Sequence, residues 1–187
     1  MSSFKGHLTK AHAYWRAHLD PSDGAIDMTC GNGHDTLVLA ELVPTGWVIG
    51  IDLQKAAIEA TRARCAPHAA RVHLVQGCHS ELGKLPLALG KRARLIVYNL
   101  GYLPGGDKNV TTRAEKTVQS LEAALGQLAS DGAISVMCYP GHEEGLREEA
   151  AVLAWARALP SSIVEVTYHQ WVNRPRSPSW LWIRGAK

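Results

Sequence analysis

The sequence predicts an α/β fold: a seven-stranded, mostly parallel sheet with an antiparallel last strand and helices on both faces. Three observations carry that prediction. First, Ala25 and Ile26 form a short apolar run into Asp27, a small-residue turn with Gly31 and Gly33 follows, and 36–42 reads as a helix. Strand, glycine turn and helix in that order present a nucleotide-like ligand at the carboxyl edge of a sheet, where a Cβ would collide with it. Second, 46–51 reads as another strand, ends in Asp52 and leads into a helix over 54–65. Third, apolar runs and helical patterns keep alternating down the chain, as in crossover βα units.

The elements follow in order. Leu8, Ala11, Tyr14, Trp15 and Leu19 recur at helical spacing and predict a leading helix over 8–19. It is expected to cover one edge of the ligand pocket, with His12 and Trp15 packing rather than touching ligand. The turn 21–24 delivers the chain to the first strand. Asp35 stands in the first turn of the next helix, where its charge suits the positive end of the dipole. After the helix that follows Asp52, Pro67 and His68 break the pattern, and 71–75 alternates as a third strand running into Cys78 and His79. A fourth strand spans 94–98 and a long helix 113–130, with Thr111 as its N-cap. Asp131-Gly132 is read as a turn into a fifth strand over 133–138, then a helix over 145–159, a sixth strand over 162–169 and a seventh over 179–184. The last two form a hairpin whose connection, 170–178, is rich in proline, arginine and tryptophan, with Trp171 and Trp180 expected to be buried.

Asp52 at the tip of the second strand suits the two hydroxyls of a ribose, which NAD and S-adenosylmethionine both carry. Two details separate these ligands. The dinucleotide fingerprint wants a third glycine where Thr36 stands, and Asp27 precedes the glycines, where a carboxylate can bind the ammonium of an amino-acid-like ligand. Asp27-x-x-x-Gly31-x-Gly33 with Asp52 therefore resembles the S-adenosylmethionine site of a Rossmann-like class I methyltransferase. The cofactor-binding candidates are Asp27, Thr29, Gly31, Asn32, Gly33, Asp35 and Thr36 on the first turn and helix, and Asp52, Leu53 and Gln54 on the second. Cys78 and His79 after the third strand, against the adenine, and Asn99 after the fourth complete the set.

Asn99 closes the fourth strand and Tyr102 follows three places on, which resembles the Asn-Pro-Pro-Tyr motif of amino-group methyltransferases, with Leu100-Gly101 replacing the two prolines. A nitrogen nucleophile must aim its lone pair at a methyl sulfonium carbon. The Asn99 side-chain oxygen and the Leu100 carbonyl can accept its N–H bonds, and the Tyr102 ring can stack on a planar substrate. Asn99, Leu100 and Tyr102 are thus the catalytic candidates. Gly101, Tyr102, Lys108, His142, Asn173, Arg174 and Arg176 are the substrate-binding ones, and Arg113 joins Lys108 beside the acceptor pocket.

Four stretches together, Asp27-x-x-x-Gly-Asn-Gly-His-Asp-Thr36, Asn-Leu-Gly-Tyr-Leu-Pro-Gly-Gly-Asp-Lys108, Tyr-Pro-Gly-His-x-x-Gly145 and Asn173-x-Pro-x-Ser-Pro178, resemble the small bacterial and plastid group labelled putative rRNA methylases. The likeness covers nearly the whole chain. It implies a class I fold, S-adenosylmethionine and, from characterised members, methylation of the amine of 5-aminomethyluridine or its 2-thio form at the wobble position of tRNA, with the anticodon arm as partner. The residues alone imply the cofactor class and a nitrogen acceptor. They leave open a ribosomal RNA base, a small-molecule amine and a non-catalytic RNA-binding or cofactor-sensing role.

Length and composition bound this reading. The 187 residues suit one well-buried domain. A net charge of +3 and a pI of 8.7 permit an RNA partner without requiring one. No apolar run is long enough to span a bilayer, and the start lacks a signal-peptide core, so no membrane partner is expected. Four scattered cysteines fit reduced thiols in a cytoplasmic protein, or a plastid one in a plant. Nine histidines fall at no metal-ligand spacing, so no metal is expected. A homodimer is kept open, because the sequence does not set the oligomeric state.

Overall fold

The computed structural model describes residues 6–84, 92–101, 105, 111–174 and 176–185. Helix α1 (His7–His18) leads into β1 (Gly24–Asp27), α2 (His34–Leu42), β2 (Trp47–Asp52), α3 (Lys55–Arg64) and β3 (Val72–Gln76). A 3-10 turn over His79–Lys84 precedes β4 (Ala93–Asn99), α4 (Ala114–Leu125), β5 (Leu128–Cys138), α5 (Glu143–Ala158), β6 (Val164–His169) and β7 (Ser179–Gly185). The seven strands form one sheet in the order β3-β2-β1-β4-β5-β7-β6, in which β7 runs antiparallel to both of its neighbours. The chain winds outward from β1 to β3, then returns to lay β4 beside β1, where Asp27 stands opposite Val97. At such a reversal the connections leave in opposite directions and a crevice opens at the carboxyl ends.

Strand alternation builds the two sides of the core. Ile26, Ile96, Tyr98, Ile134 and Val136 point to one face, where Leu121 of α4 and Val152 of α5 cover them. Ala25, Leu95, Val97, Ala133 and Met137 point to the other, beneath Ala11 and Trp15 of α1 and Leu39 of α2. Trp180 is fully buried on this second face, with its Nε1 donating to Ser135 Oγ at 2.9 Å, whereas Trp171 is half-buried.

Several boundaries differ from the sequence reading. Helix α4 stops at Leu125, with Gly126 as its C-cap, and 128–130 belong to β5 rather than to the helix. Arg92 explains the early stop by donating Nη1 to the carbonyls of Gly126 and Leu128, which draws the chain into register with Ala93. Asp131-Gly132 is then a register irregularity inside β5, not a turn into it. Thr111 is not the cap of α4; Arg113 occupies that position and caps with no side-chain hydrogen bond. Helix α2 begins at His34, two residues before Thr36, and the 3-10 turn after β3 had no periodic signal.

Candidate active site

The glycine turn after β1 is built from within. The Asp27 carboxylate, 1% exposed, accepts from Thr29 N through Oδ1 at 3.2 Å and from Thr36 Oγ1 through Oδ2 at 2.6 Å. Gly31 and Gly33 both adopt left-handed backbone, with φ of 49° and 79°. At Gly33 a Cβ would also lie 2.8 Å from Thr61 Cα, so this glycine serves the approach of α2 to α3 rather than of ligand to backbone. Asp52 locks the turn from the neighbouring strand, accepting from Gly31 N and from Gln54 N, each at 2.9 Å.

Burial pushes the Asp27 carboxyl from its ordinary 3.8 up to about 7, with the Asp35 charge next in effect, against the hydrogen bonds from Thr36 and Thr29. The folded state therefore holds this proton more tightly than the unfolded chain does. The associated stability is complete below the ordinary value and is lost as pH rises through the folded one, near 7. Asp27→Asn is expected to flatten this decline between about pH 4 and about pH 7 in urea unfolding. An equally steep decline in the variant would assign it to another group.

A cavity of about 990 Å³ opens above this turn. Its wall on the β1–β2 side includes Thr29, Gly31, Asn32, Asp35, Asp52, Leu53 and Gln54. Cys78 and His79 line it from beyond β3, Asn99, Leu100 and Gly101 from the end of β4, and His142 and Arg176 from beyond β5 and the last hairpin. Three of the proposed cofactor ligands are not on the wall. Asp27, Gly33 and Thr36 lie behind it as the framework of the turn, where the Asp27 carboxyl accepts from Thr29 N and Thr36 Oγ1. Asn173 and Arg174 are exposed and off the wall, in a turn where Arg174 N donates to the Trp171 carbonyl. Tyr102 and Lys108 lie outside the described residues.

The carboxyl end of β4 carries a hydrogen-bonded chain. Asn99 N donates to Thr29 Oγ1 at 2.7 Å, and Asn99 Nδ2 donates to Asp35 Oδ2 at 2.8 Å. His12 Nε2 donates to the other Asp35 oxygen at 2.7 Å. Asn99 Oδ1 is buried with no hydrogen-bond partner among the described residues. An acceptor that has given up water and gained nothing costs free energy unless a ligand supplies a donor.

Tyr139, at the end of β5, closes the same corner. Burial first, then the Asp35 charge, push its phenol up to about 12, against a hydrogen bond from the Asn99 amide. Sequence reasoning quoted Tyr139 within the Tyr-Pro-Gly-His stretch but gave it no role in the site, although its place just beyond a strand's carboxyl end was a usable signal. Lys116, on the first turns of α4, also lines the cavity and was missed. Burial, with the Lys116 charge second, lowers His79 to about 4, so its imidazole is neutral at ordinary pH. Its Nδ1 has no partner among the described residues, and its ring meets Tyr98 edge-on at 6.2 Å. His142 is the N-cap of α5, its Nδ1 accepting from Gly145 N at 3.1 Å, which fixes the ring against the cavity. Among the described residues no group of three or more His, Cys, Asp or Glu is placed to hold a metal ion, and no helix is long and apolar enough to cross a membrane.

A seven-stranded sheet with only β7 reversed, and a glycine turn and two acids at its crevice, is the class I methyltransferase architecture. A structure described as a putative rRNA-methylase from Clostridium thermocellum superposes with a TM-score of 0.93 at 31% identity, over 98% of this chain and all of that one. The sequence matches the family described as Putative rRNA methylase over residues 48–184, and the chain belongs to that family. A putative methyltransferase from Streptococcus mutans, solved with S-adenosylhomocysteine, has a TM-score of 0.85 at 28% identity over 96% of this chain and 97% of that one. The Arabidopsis thaliana protein named tRNA (mnm(5)s(2)U34)-methyltransferase, chloroplastic, is 37% identical over 179 residues, which is 90% of this chain and 65% of the plant protein. This chain therefore spans about two-thirds of the length of that curated relative.

Proposed function

We propose that this protein is an S-adenosylmethionine-dependent N-methyltransferase. Its substrate is the amine of 5-aminomethyluridine, or its 2-thio form, at wobble position 34 of tRNA, and its product is the 5-methylaminomethyl nucleoside. The observation that carries the reading is Asn99 Oδ1, a buried acceptor without a partner among the described residues, at the end of β4 in a large cavity. It suits a substrate that brings an N–H. The name of the Arabidopsis relative supports the particular amine.

The residues present fit the cofactor. Asp52 retains lone pairs for ribose hydroxyls after accepting from Gly31 N and Gln54 N. His79 Nδ1 is a buried, neutral-ring nitrogen that suits an adenine edge. S-adenosylmethionine supplies an electrophilic methyl group on a sulfonium. The protein supplies orientation: Asn99 Oδ1 and the Leu100 carbonyl accept the amine's two N–H bonds, leaving its lone pair aimed at the methyl carbon. An aminomethyl group arrives as an ammonium and must first lose a proton. Desolvation in the cavity, beside a positive charge, lowers its pKa and favours the neutral form. Arg113, Lys116 and Arg176 line the same cavity and suit the phosphates around the target nucleotide.

The test is nucleoside mass spectrometry of tRNA carrying 5-aminomethyluridine after incubation with the protein and S-adenosylmethionine. A gain of one methyl on that nucleoside is expected. No gain on tRNA with cofactor binding intact, and methylation of ribosomal RNA instead, would replace this reading with the ribosomal one that the family's description suggests.

A further inference from the structure

We propose that His12, on α1 and outside the cavity wall, is a positioning residue for the acceptor site. Acting through Asp35, it determines which end of the Asn99 amide is presented to substrate. The inference rests on the reading of Asn99 given above.

A side-chain amide is nearly symmetric in shape but opposite in polarity at its two ends. Rotation by half a turn exchanges an acceptor for a donor at little steric cost. Only the acceptor end can receive an amine's N–H, so the site needs something that selects one orientation. Asp35 does this, because its Oδ2 accepts from Nδ2 at 2.8 Å and so holds that end of the amide. Asp35 can hold that oxygen in place only if its own side chain is fixed. His12 fixes it by donating Nε2–H to Oδ1 at 2.7 Å, with side-chain exposures of 25% for His12 and 9% for Asp35. The imidazole is itself braced against the Trp15 ring, whose centroid is 4.6 Å away and which is 2% exposed. Thr29 Oγ1 holds the Asn99 backbone at 2.7 Å. Rotation of the amide is thus the freedom left at Asn99, and the His12–Asp35 pair opposes it together with the amide's hydrogen bond to Tyr139. Such a pair acts on orientation, so its loss falls on turnover more than on cofactor affinity.

Two variants and two readouts test this. His12→Leu keeps an apolar side chain against Trp15 and removes the donor; His12→Gln keeps an N–H donor at similar reach. His12→Leu is expected to lower kcat on tRNA by about tenfold or more while the calorimetric Kd for S-adenosylmethionine changes by less than about threefold, and His12→Gln recovers most of kcat. The second readout needs no substrate. The Asn99 side-chain NH2 pair in the ¹⁵N spectrum, assigned by its loss in Asn99→Ala, should include one downfield, slowly exchanging proton. That proton shifts and exchanges faster in His12→Leu and returns in His12→Gln. An unmoved Asn99 signal in His12→Leu overturns the inference, as does a kcat loss that His12→Gln fails to rescue. If the wild type methylates no tRNA, the functional reading fails on its own, and the Asn99 resonances still decide the role of His12.

Discussion

Asn99→Ala is expected to lower turnover by about two orders of magnitude or more, while S-adenosylmethionine still binds within roughly threefold of wild type. The variant removes the side-chain acceptor that Asn99 offers at the end of β4 and leaves the Leu100 carbonyl as a single contact, about which the amine can swing. A nucleophile free to rotate spends little time in line with the methyl carbon, and misplacement of that kind is costly to the chemical step. The glycine turn should survive, because Asp27, Thr36 and Asp52 organise it without Asn99. Single-turnover methyl transfer with saturating cofactor, beside calorimetry, separates the two effects. Near-wild-type turnover would mean that the amine is held elsewhere.

The second large effect is on the fold around the acceptor loop. Glu148, 2% exposed on α5, accepts from Thr112 Oγ1 at 2.8 Å and from Thr117 Oγ1 at 2.6 Å. Thr112 in turn accepts from Gly101 N through Oγ1 at 2.8 Å and donates its own N to the Gly101 carbonyl at 3.1 Å. One carboxylate thereby clasps both ends of the segment that follows Asn99. Burial holds the Glu148 carboxyl above the usual range, against the two threonine hydroxyls that favour its charge. Glu148→Ala deletes two charge-assisted hydrogen bonds and strands the fully buried Thr117 hydroxyl, offset in part by relief of the buried charge. The expected cost is about 3 kcal/mol in urea unfolding, with a loss of turnover from the loosened loop ends. Glu148→Gln, which can accept one hydroxyl and donate to the other, should cost less. A loss below about 1 kcal/mol in Glu148→Ala would show that the burial penalty cancels the bonds.

Much of this molecule was legible beforehand because the signals are local. The apolar run in 95–98 marks β4 whatever lies around it, and its residues divide between the two faces of the sheet. The acids and glycines of 27–36 stand at the crevice because strand ends and tight turns are set by residues a few places apart. Errors fell where a distant partner overrode local propensity. Leu128 joins β5 rather than prolonging α4 because Arg92, on the preceding segment, captures the carbonyls of Gly126 and Leu128. Thr111 reads as a cap from its own neighbours, yet Arg113 holds that position and it is Thr112 that Gly101 and Glu148 engage.

The α/β class, the order of its units, the acid at the tip of β2 and the asparagine at the end of β4 are all legible along the chain, since each depends on periodicity or turn chemistry within one βα unit. Which of those groups meet is set by the packing of the folded chain. That packing brings Thr29 and Thr36 to the Asp27 carboxyl, and His12 and Asn99 to opposite oxygens of Asp35 across separations of 23 and 64 residues. The physical reason is the return crossover that lays β4 against β1. Only that placement carries Asn99 over the first turn of α2 while α1 packs behind it, and no spacing along the chain records it.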